Sequence, residues 1–325
     1  MHILITGAAG MVGRKLTERL AADKALNGKP IDAFTLVDVV APAKPAGFRT
    51  EAYAADVSAP ETAAKLIKDR PDAIFHLAAV VSGEAETDFE KGYRVNLDTM
   101  RYLLEAIRTA GGYHPKLVFT SSIAVFGAPF PDAIYDEFHH TPLTSYGAQK
   151  GICELLLADY TRKGFLEGVG IRLPTICVRP GTPNKAASGF FSNIIREPLA
   201  GEEAVLPVSE DVRHWHASPK SAVGFLVHAG TMDLNAMGPR RNLSMPGMSV
   251  SVGEQIAALD RVAGKNVTAR IKRVPDPTII GIVSGWPRDF VTDRALKLGF
   301  TTAEKTFDDI IRIHIADELG GKFAD

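Results

Sequence analysis

The sequence predicts an α/β fold, a doubly wound parallel sheet with a smaller C-terminal lobe. Three observations carry that expectation. Short apolar runs alternate with amphipathic stretches through the first half of the chain, as in strands covered by helices on both faces. A glycine-rich turn sits directly between the first apolar run and the first amphipathic one. After about Pro180 the rhythm changes, and loops rich in Gly and Pro separate shorter elements.

Residues 3–6 read as a buried strand and 12–22 as a helix. A second strand is expected at 33–37, a weaker one at 51–54, and further strands at 73–76, 117–120 and 169–172. The two clearest helices are expected over 87–110 and 144–163, the latter carrying Tyr146 and Lys150 in its first turns. Residues 1–180 therefore read as a Rossmann-type dinucleotide-binding domain and 181–325 as the smaller lobe, with some chain crossing back to the sheet. Pro180-Gly181-Thr182-Pro183-Asn184 and Met245-Pro246-Gly247 mark loops in that lobe.

The 325 residues are 46% apolar and 23% charged, with a net charge of −1. That balance gives no electrostatic footprint for nucleic acid or an anionic membrane. No apolar stretch approaches the length of a membrane span. Met1 to Thr6 runs straight into a strand pattern, without the basic region or cleavage site of a signal peptide. Cys153 and Cys177 fit two packed thiols in a reducing cytoplasm.

Gly7-Ala8-Ala9-Gly10-Met11-Val12-Gly13 follows the first strand and opens the first helix. Glycines permit a tight turn and close backbone approach, while a helix N-terminus offers free N–H groups and a positive dipole end to a pyrophosphate. Asp38 ends the second strand about 25 residues beyond Gly13, where a carboxylate accepts hydrogen bonds from the adenosine ribose. Its charge repels a 2′-phosphate, so NAD is expected rather than NADP. Asp56-Val57, after the third strand, is placed as an adenine contact.

Tyr146 and Lys150 are four residues apart, so a phenol and an ammonium share one helix face. A cation beside a phenol favours phenolate and makes it a usable base.

With these pieces in order the chain resembles the extended short-chain dehydrogenase/reductase family, the NAD-dependent epimerases and dehydratases. Gly7, Gly10 and Gly13 form the turn, with Ala9, Met11 and Val12 around it. His76-Leu77-Ala78-Ala79 ends the fourth strand, Asn96 lies in Tyr93-Arg94-Val95-Asn96, and Thr120 to Gly127 follows the fifth strand. The resemblance implies NAD as cofactor, held also by Leu77, Ala78, Ala79, Asn96, Pro174 and Ile176. It implies a catalytic triad of Ser122, Tyr146 and Lys150, with Ser122 chosen over Ser121 by counting back from Gly127. Tyr146 is then the acid–base group, Lys150 holds the nicotinamide ribose, and Ser122 hydrogen-bonds the substrate oxygen. A homodimer through the two long helices is also implied.

Two departures bear on the substrate. The Asn-x-Tyr-Gly-Pro-like stretch of nucleotide-sugar enzymes is replaced by Arg172-Leu173-Pro174-Thr175-Ile176-Cys177-Val178-Arg179-Pro180-Gly181, and Phe126 stands where a tyrosine is common. Val80 to Glu86 reads as a loop at the carboxyl ends of the strands, so Val81, Ser82 and Gly83 are expected to wall the substrate pocket with Ile123. Arg213 aligns with an arginine that holds substrate phosphate in the family, and in a smaller pocket it can grip a carboxylate. The alternative is a surface arginine paired with Asp211 or Glu210. His214 and His216 are two apart but have no third ligand, so no metal is expected. Val80 to Glu86, Val178 to Gly181 and Gly285-Trp286-Pro287-Arg288 are most similar to the D-erythronate dehydrogenase subgroup. That similarity implies NAD-dependent oxidation of a small sugar-acid substrate at C2. The alternatives are a nucleotide-sugar epimerase or dehydratase, or a uronate dehydrogenase, of the same family. A non-catalytic dinucleotide sensor would need the glycines but not the triad.

Overall fold

Seven parallel strands form the central sheet of the computed structural model, which describes residues 1–181 and 187–324. They are β1 (His2–Thr6), β2 (Ala33–Asp38), β3 (Arg49–Ala54), β4 (Ala73–His76), β5 (Lys116–Ser122), β6 (Glu167–Leu173) and β7 (Asn242–Ser244). Their spatial order is β3-β2-β1-β4-β5-β6-β7, so the winding reverses between β1 and β4. That reversal opens a crevice at the carboxyl ends of those strands, where ligands bind in such sheets. The central strands read as continuous apolar runs because both sheet faces are covered: Ile3, Leu4 and Ile5 are fully buried.

Helices α1 (Met11–Asp23) and α5 (Pro219–Thr231) cover one face. Their Leu16, Leu20, Phe225 and Leu226 pack on Ile3, Ile5 and Phe75. On the other face α2 (Pro60–Ile67), α3 (Thr99–Thr109) and α4 (Ser145–Arg162) bury Leu66, Met100, Leu104 and Leu157 against Leu4, Ile74 and Leu117. A separate apolar cluster, including Phe191, Ile195, Leu259 and Ile311, joins the helices Gly189–Leu199, Val252–Ala263 and Phe307–Glu318. The chain beyond Gly181 also supplies α5 and the edge strand β7 to the central sheet.

Two expectations need correction. The helix expected over 87–110 is broken: Ser82–Thr87 and Phe89–Gly92 are short helices, a π-helical stretch spans Tyr93–Asp98, and only α3 is regular. The break falls at Asp88, whose backbone is non-helical (φ −125°, ψ 83°) and whose carboxylate caps the Lys91 N–H. Ser82 and Gly83, expected in a loop, begin the Ser82–Thr87 helix. The Pro180 to Asn184 loop is described as far as Gly181, and residues 182–184 lie outside the described residues. Cys153 and Cys177 are buried free thiols. Among the described residues no helix is long and apolar enough to cross a membrane.

A Cβ built on Gly13 would sit 2.2 Å from the Gly7 carbonyl oxygen, so α1 can approach the glycine turn only with no side chain there. Gly13→Ala is expected to lower stability by about 1–3 kcal/mol through overpacking. Urea denaturation measures it, and an unchanged midpoint would contradict this packing.

Candidate active site

At the switch point Gly7 has φ +74°, and a Cβ on it would meet the Ala78 nitrogen at 2.6 Å. The turn therefore lies directly against the Leu77–Ala78 end of β4. Gly10 is exposed and serves as the N-cap of α1 without any side-chain cap, and an added Cβ would meet only the Gly7 oxygen, at 3.3 Å. The missing side chain leaves room in front of the first N–H groups of Met11, Val12 and Gly13, a cradle suited to a pyrophosphate. Asp38 accepts from the Ala9 N–H (2.9 Å) and the Val39 N–H (2.7 Å), which holds its carboxylate beside that cradle. The geometry fits a dinucleotide with a free ribose 2′-hydroxyl. Asp56 is exposed at the end of the next strand, with its carboxylate bound to Arg94 (2.7 Å) and Ser58. Val57 is packed into the core beside Leu66 rather than open to a ligand.

Helix α4 carries the candidate acid–base groups. Thr144 caps it by accepting from the Gly147 N–H (3.1 Å). Tyr146, Lys150 and Glu154 then follow at four-residue spacing on the face turned to the carboxyl end of β5. The Tyr146 phenol faces Ser122, whose hydroxyl lowers its pKa. The Lys150 ammonium donates to the Thr120 carbonyl (2.8 Å) and lies 4.7 Å from the Phe119 ring centroid and 5.6 Å from that of Tyr146. Glu154, fully buried, accepts from Ser121 (2.5 Å) and from Arg172 Nε (2.9 Å) and Nη2 (2.8 Å), with His140 Nε2 at 2.9 Å. Ser121 thus lies behind the site and Ser122 in it, as the count from Gly127 requires.

Burial dominates the electrostatics. It pushes the Tyr146 phenol up to about 12, against the Ser122 hydroxyl and the Arg179 guanidinium, which pull it down. The residue keeps some exposed surface, while its hydroxyl end is packed among protein groups. Burial also brings the Lys150 ammonium down to about 8. The cation that acts on the phenol is therefore Arg179, whereas Lys150 is turned toward Thr120. Burial alone would raise the Glu154 carboxyl, but Arg172 and then His140 overcome it and hold it at about 2.

Several expected contacts are reassigned. Asn96 is buried, and its amide is used up within the protein: it accepts from the Val80 N–H (2.9 Å) and donates to the Val80 carbonyl (3.2 Å) and Gln149 (2.8 Å). It positions the chain after Ala79 rather than meeting the cofactor. Val81 caps the Ser82–Thr87 helix, and Glu86 of that helix accepts from the Ser145 N–H (3.0 Å), so Ser82 and Gly83 are tied to the start of α4. Ile123 is 4% exposed, its side chain packed with Val125, Phe126 and Trp215, so it offers a substrate little beyond backbone. Phe126 presents its ring to the Arg172 guanidinium at 4.9 Å, a contact that needs no hydroxyl. Pro174 is buried between β6 and the strand Thr175–Ile176.

Arg213 pairs with neither Asp211 nor Glu210. Its guanidinium donates to the Ser249 carbonyl (2.8 Å) and lies 2.9 Å from Glu254, while Glu210 pairs with Arg273. Its strand, Arg213–Ala217, runs antiparallel to Met248–Ser251, which turns the side chain along that ribbon. His214 is bonded to Thr175 (2.7 Å) and Pro287 (2.8 Å), and His216 to Gln255 (2.9 Å). Among the described residues no cluster of three or more His, Cys, Asp or Glu side chains could hold a metal. A residue given no role from the sequence is Arg179, the cation that directly follows the apolar run 176–178 beyond the carboxyl end of β6.

Comparison with known proteins bears on this arrangement. Residues 3–218 match the model of the NAD dependent epimerase/dehydratase family. The chain belongs to that family. Its cofactor is NAD. Two relatives extend over nearly the whole chain. One is a D-erythronate dehydrogenase of Cupriavidus necator, 45% identical and covering 98% of each chain. The other is a D-erythronate dehydrogenase of Haemophilus influenzae, 42% identical and covering 98% of this chain and 100% of that one. A crystal structure named as a nucleoside-diphosphate-sugar epimerase from Agrobacterium tumefaciens is 64% identical, with a TM-score of 0.96 over 99% of this chain and 95% of that one. An L-threonine dehydrogenase from Clostridium difficile, 21% identical with a TM-score of 0.85 over 99% of both chains, shares the fold.

The buried Glu154 carboxylate yields a pH prediction. A carboxyl held at about 2 in the folded protein, against 4.5 for a free one, stabilises fully above 4.5 and loses that contribution as pH falls toward 2. Glu154→Gln is expected to cost about 3–5 kcal/mol near neutrality, because buried Arg172 loses its hydrogen-bonded carboxylate and keeps only Asp136, at 3.9 Å. The gap from wild type should narrow below about pH 4.5. Denaturant titrations at neutral and acid pH measure it, and a pH-independent gap would rule out the carboxylate as its source.

Proposed function

We propose that this chain oxidises a small sugar acid with NAD, D-erythronate at C2 to 2-dehydro-D-erythronate. The observation that carries this reading is the pair of D-erythronate dehydrogenases aligned over essentially the whole chain, 45% and 42% identical. The Ser122–Tyr146–Lys150 arrangement supplies groups suited to oxidising an alcohol.

NAD, when bound, takes the hydride from the carbon bearing the alcohol. Tyr146 Oη receives the hydroxyl proton as the C–O bond becomes a carbonyl. Ser122 hydrogen-bonds the same oxygen and steadies its charge through that change. Lys150, a buried ammonium on the same helix face, would hold the nicotinamide ribose. Burial keeps the phenol protonated at rest, so the site needs added positive charge before Tyr146 becomes a base.

A second reading, an epimerase that returns the hydride to its substrate, is favoured by the name of the 64% identical structure. The two differ in net product. On the preferred reading, NAD and D-erythronate give a sustained rise in NADH absorbance, and Tyr146→Phe lowers kcat about 100-fold or more while NAD affinity stays near wild type. No turnover of any aldonate, together with interconversion of a UDP-sugar without NADH, would establish the epimerase instead.

We also propose a homodimer. Ile152 and Leu155 on α4 and Phe89 nearby on the 89–92 helix are exposed, Leu155 by 65%. An isologous helix face would bury them. Light scattering should give a dimer that Leu155→Asp dissociates, and a wild-type monomer at micromolar concentration would refute it.

A further inference from the structure

Arg179 is built into the site and lacks a counter-charge. Its backbone is fixed on both sides: its N–H donates to Ser192 Oγ (3.0 Å), and its carbonyl accepts from Arg196 Nη1 (2.8 Å). Its Nε donates to the Ile176 carbonyl (3.0 Å) and its Nη2 to Ser188 Oγ (2.7 Å). Both side-chain acceptors are neutral. Among the described residues no carboxylate lies within ion-pair distance of it, and residues 182–186 contain no acid. By contrast Arg172, Arg196 and Arg294 each reach a carboxylate.

The surroundings do not neutralise it either. Burial holds His214 at about 4 and His216 well below the ordinary imidazole range, so both rings are uncharged near neutrality. Arg179 is half-buried, and a cation partly withdrawn from water without a counter-charge carries a cost that a ligand of opposite charge removes. A guanidinium carries five N–H groups, of which two are used here, leaving two on Nη1 and one on Nη2, and its end-on edge presents one N–H from each of these nitrogens. That edge matches the two oxygens of a carboxylate. Arg179 stands beyond the carboxyl end of β6, tied by Nε to the Ile176 carbonyl, at the end of the sheet where ligands bind, and its charge lowers the Tyr146 phenol, so an anion seated on it brings its molecule to the acid–base group.

We propose that Arg179, and not Arg213, anchors the C1 carboxylate of the substrate and thereby makes the site selective for 2-hydroxy acids over neutral sugars. The proposal rests on the sugar-acid reading above and deepens it. A carboxylate fixed at C1 leaves the hydroxyl on the next carbon for Tyr146 and Ser122, which accounts for oxidation at C2. Arg213 is already satisfied by Glu254 and the Ser249 carbonyl.

The experiment compares wild type with Arg179→Gln, Arg179→Lys and Arg213→Gln in two arms. One arm measures kcat and KM for D-erythronate and for its uncharged amide. The other measures, by calorimetry, binding of 3,4-dihydroxybutanoate, which lacks the reacting hydroxyl, to NADH-loaded enzyme. The expected result is that Arg179→Gln raises KM for the acid about 100-fold or more, abolishes the preference for acid over amide and abolishes dihydroxybutanoate binding. Arg179→Lys should restore part of each, while NAD affinity stays unchanged in both variants. Retention of acid preference and carboxylate binding by Arg179→Gln overturns the proposal, as does a loss found in Arg213→Gln instead. Were Arg179→Gln to misfold, wild type accepting amide and acid equally well would overturn it alone. Wild type that turns over no aldonate defeats the functional reading, whereas Arg179-dependent carboxylate binding in the calorimetric arm would still uphold the anchor.

Discussion

Three polar side chains on one face of α4 dock that helix onto the sheet, and the site depends on their register. Tyr146, Lys150 and Glu154 meet Ser122, the Thr120 carbonyl, and Ser121 with Arg172 in turn. Each contact is made in a buried setting, where a lost partner costs far more than in water. A shift of α4 by one residue would turn all three away from their partners. The Tyr146 phenol is therefore placed by the same contacts that hold the fold. Glu154 and Arg172 stabilise the position of Tyr146 without touching a substrate.

The same burial fixes the charge states. A phenol in this environment stays protonated and an ammonium is weakened, so the pair does not activate itself by proximity. Arg179 and the cationic ring of bound NAD are the remaining sources of positive potential around the hydroxyl. On the proposed mechanism this couples chemistry to occupancy, since the base would form only with the cofactor in place. Asp38 belongs to the same logic at the other end of the crevice, where its carboxylate steadies the glycine turn through Ala9 while facing the cradle.

Much of this architecture was legible from residue pattern because it obeys short-range rules. The continuous apolar strands, the glycine turn between β1 and α1, and the four-residue spacing of Tyr146 and Lys150 each encode a local geometry. What was not legible depends on distant partners. Asn96 sits in a recognisable motif, yet its direction follows from a π-helical turn that carries its amide to Val80. The break at Asp88 is a capping choice hidden inside a helical pattern. The three residues of β7 are too few to show periodicity, and they form a strand only because β6 offers an edge. Arg213 looked available because Glu254, its partner across the ribbon, lies 41 positions further along the chain. Arg179 went unassigned because only the folded chain shows that it lacks a carboxylate.

The central claim is that the α4 docking face holds Tyr146 as a protonated phenol until bound positive charge lowers its pKa. NMR of protein carrying ¹³C-labelled tyrosine, with Tyr146 assigned by comparison with Tyr146→Phe, follows that single ionisation with and without NAD. The account predicts that without NAD the Tyr146 signal remains that of a neutral phenol beyond pH 10, toward its value of about 12, and that NAD moves the transition to lower pH. Half-ionisation at or below pH 10 in the cofactor-free protein, unaltered by NAD, would contradict it.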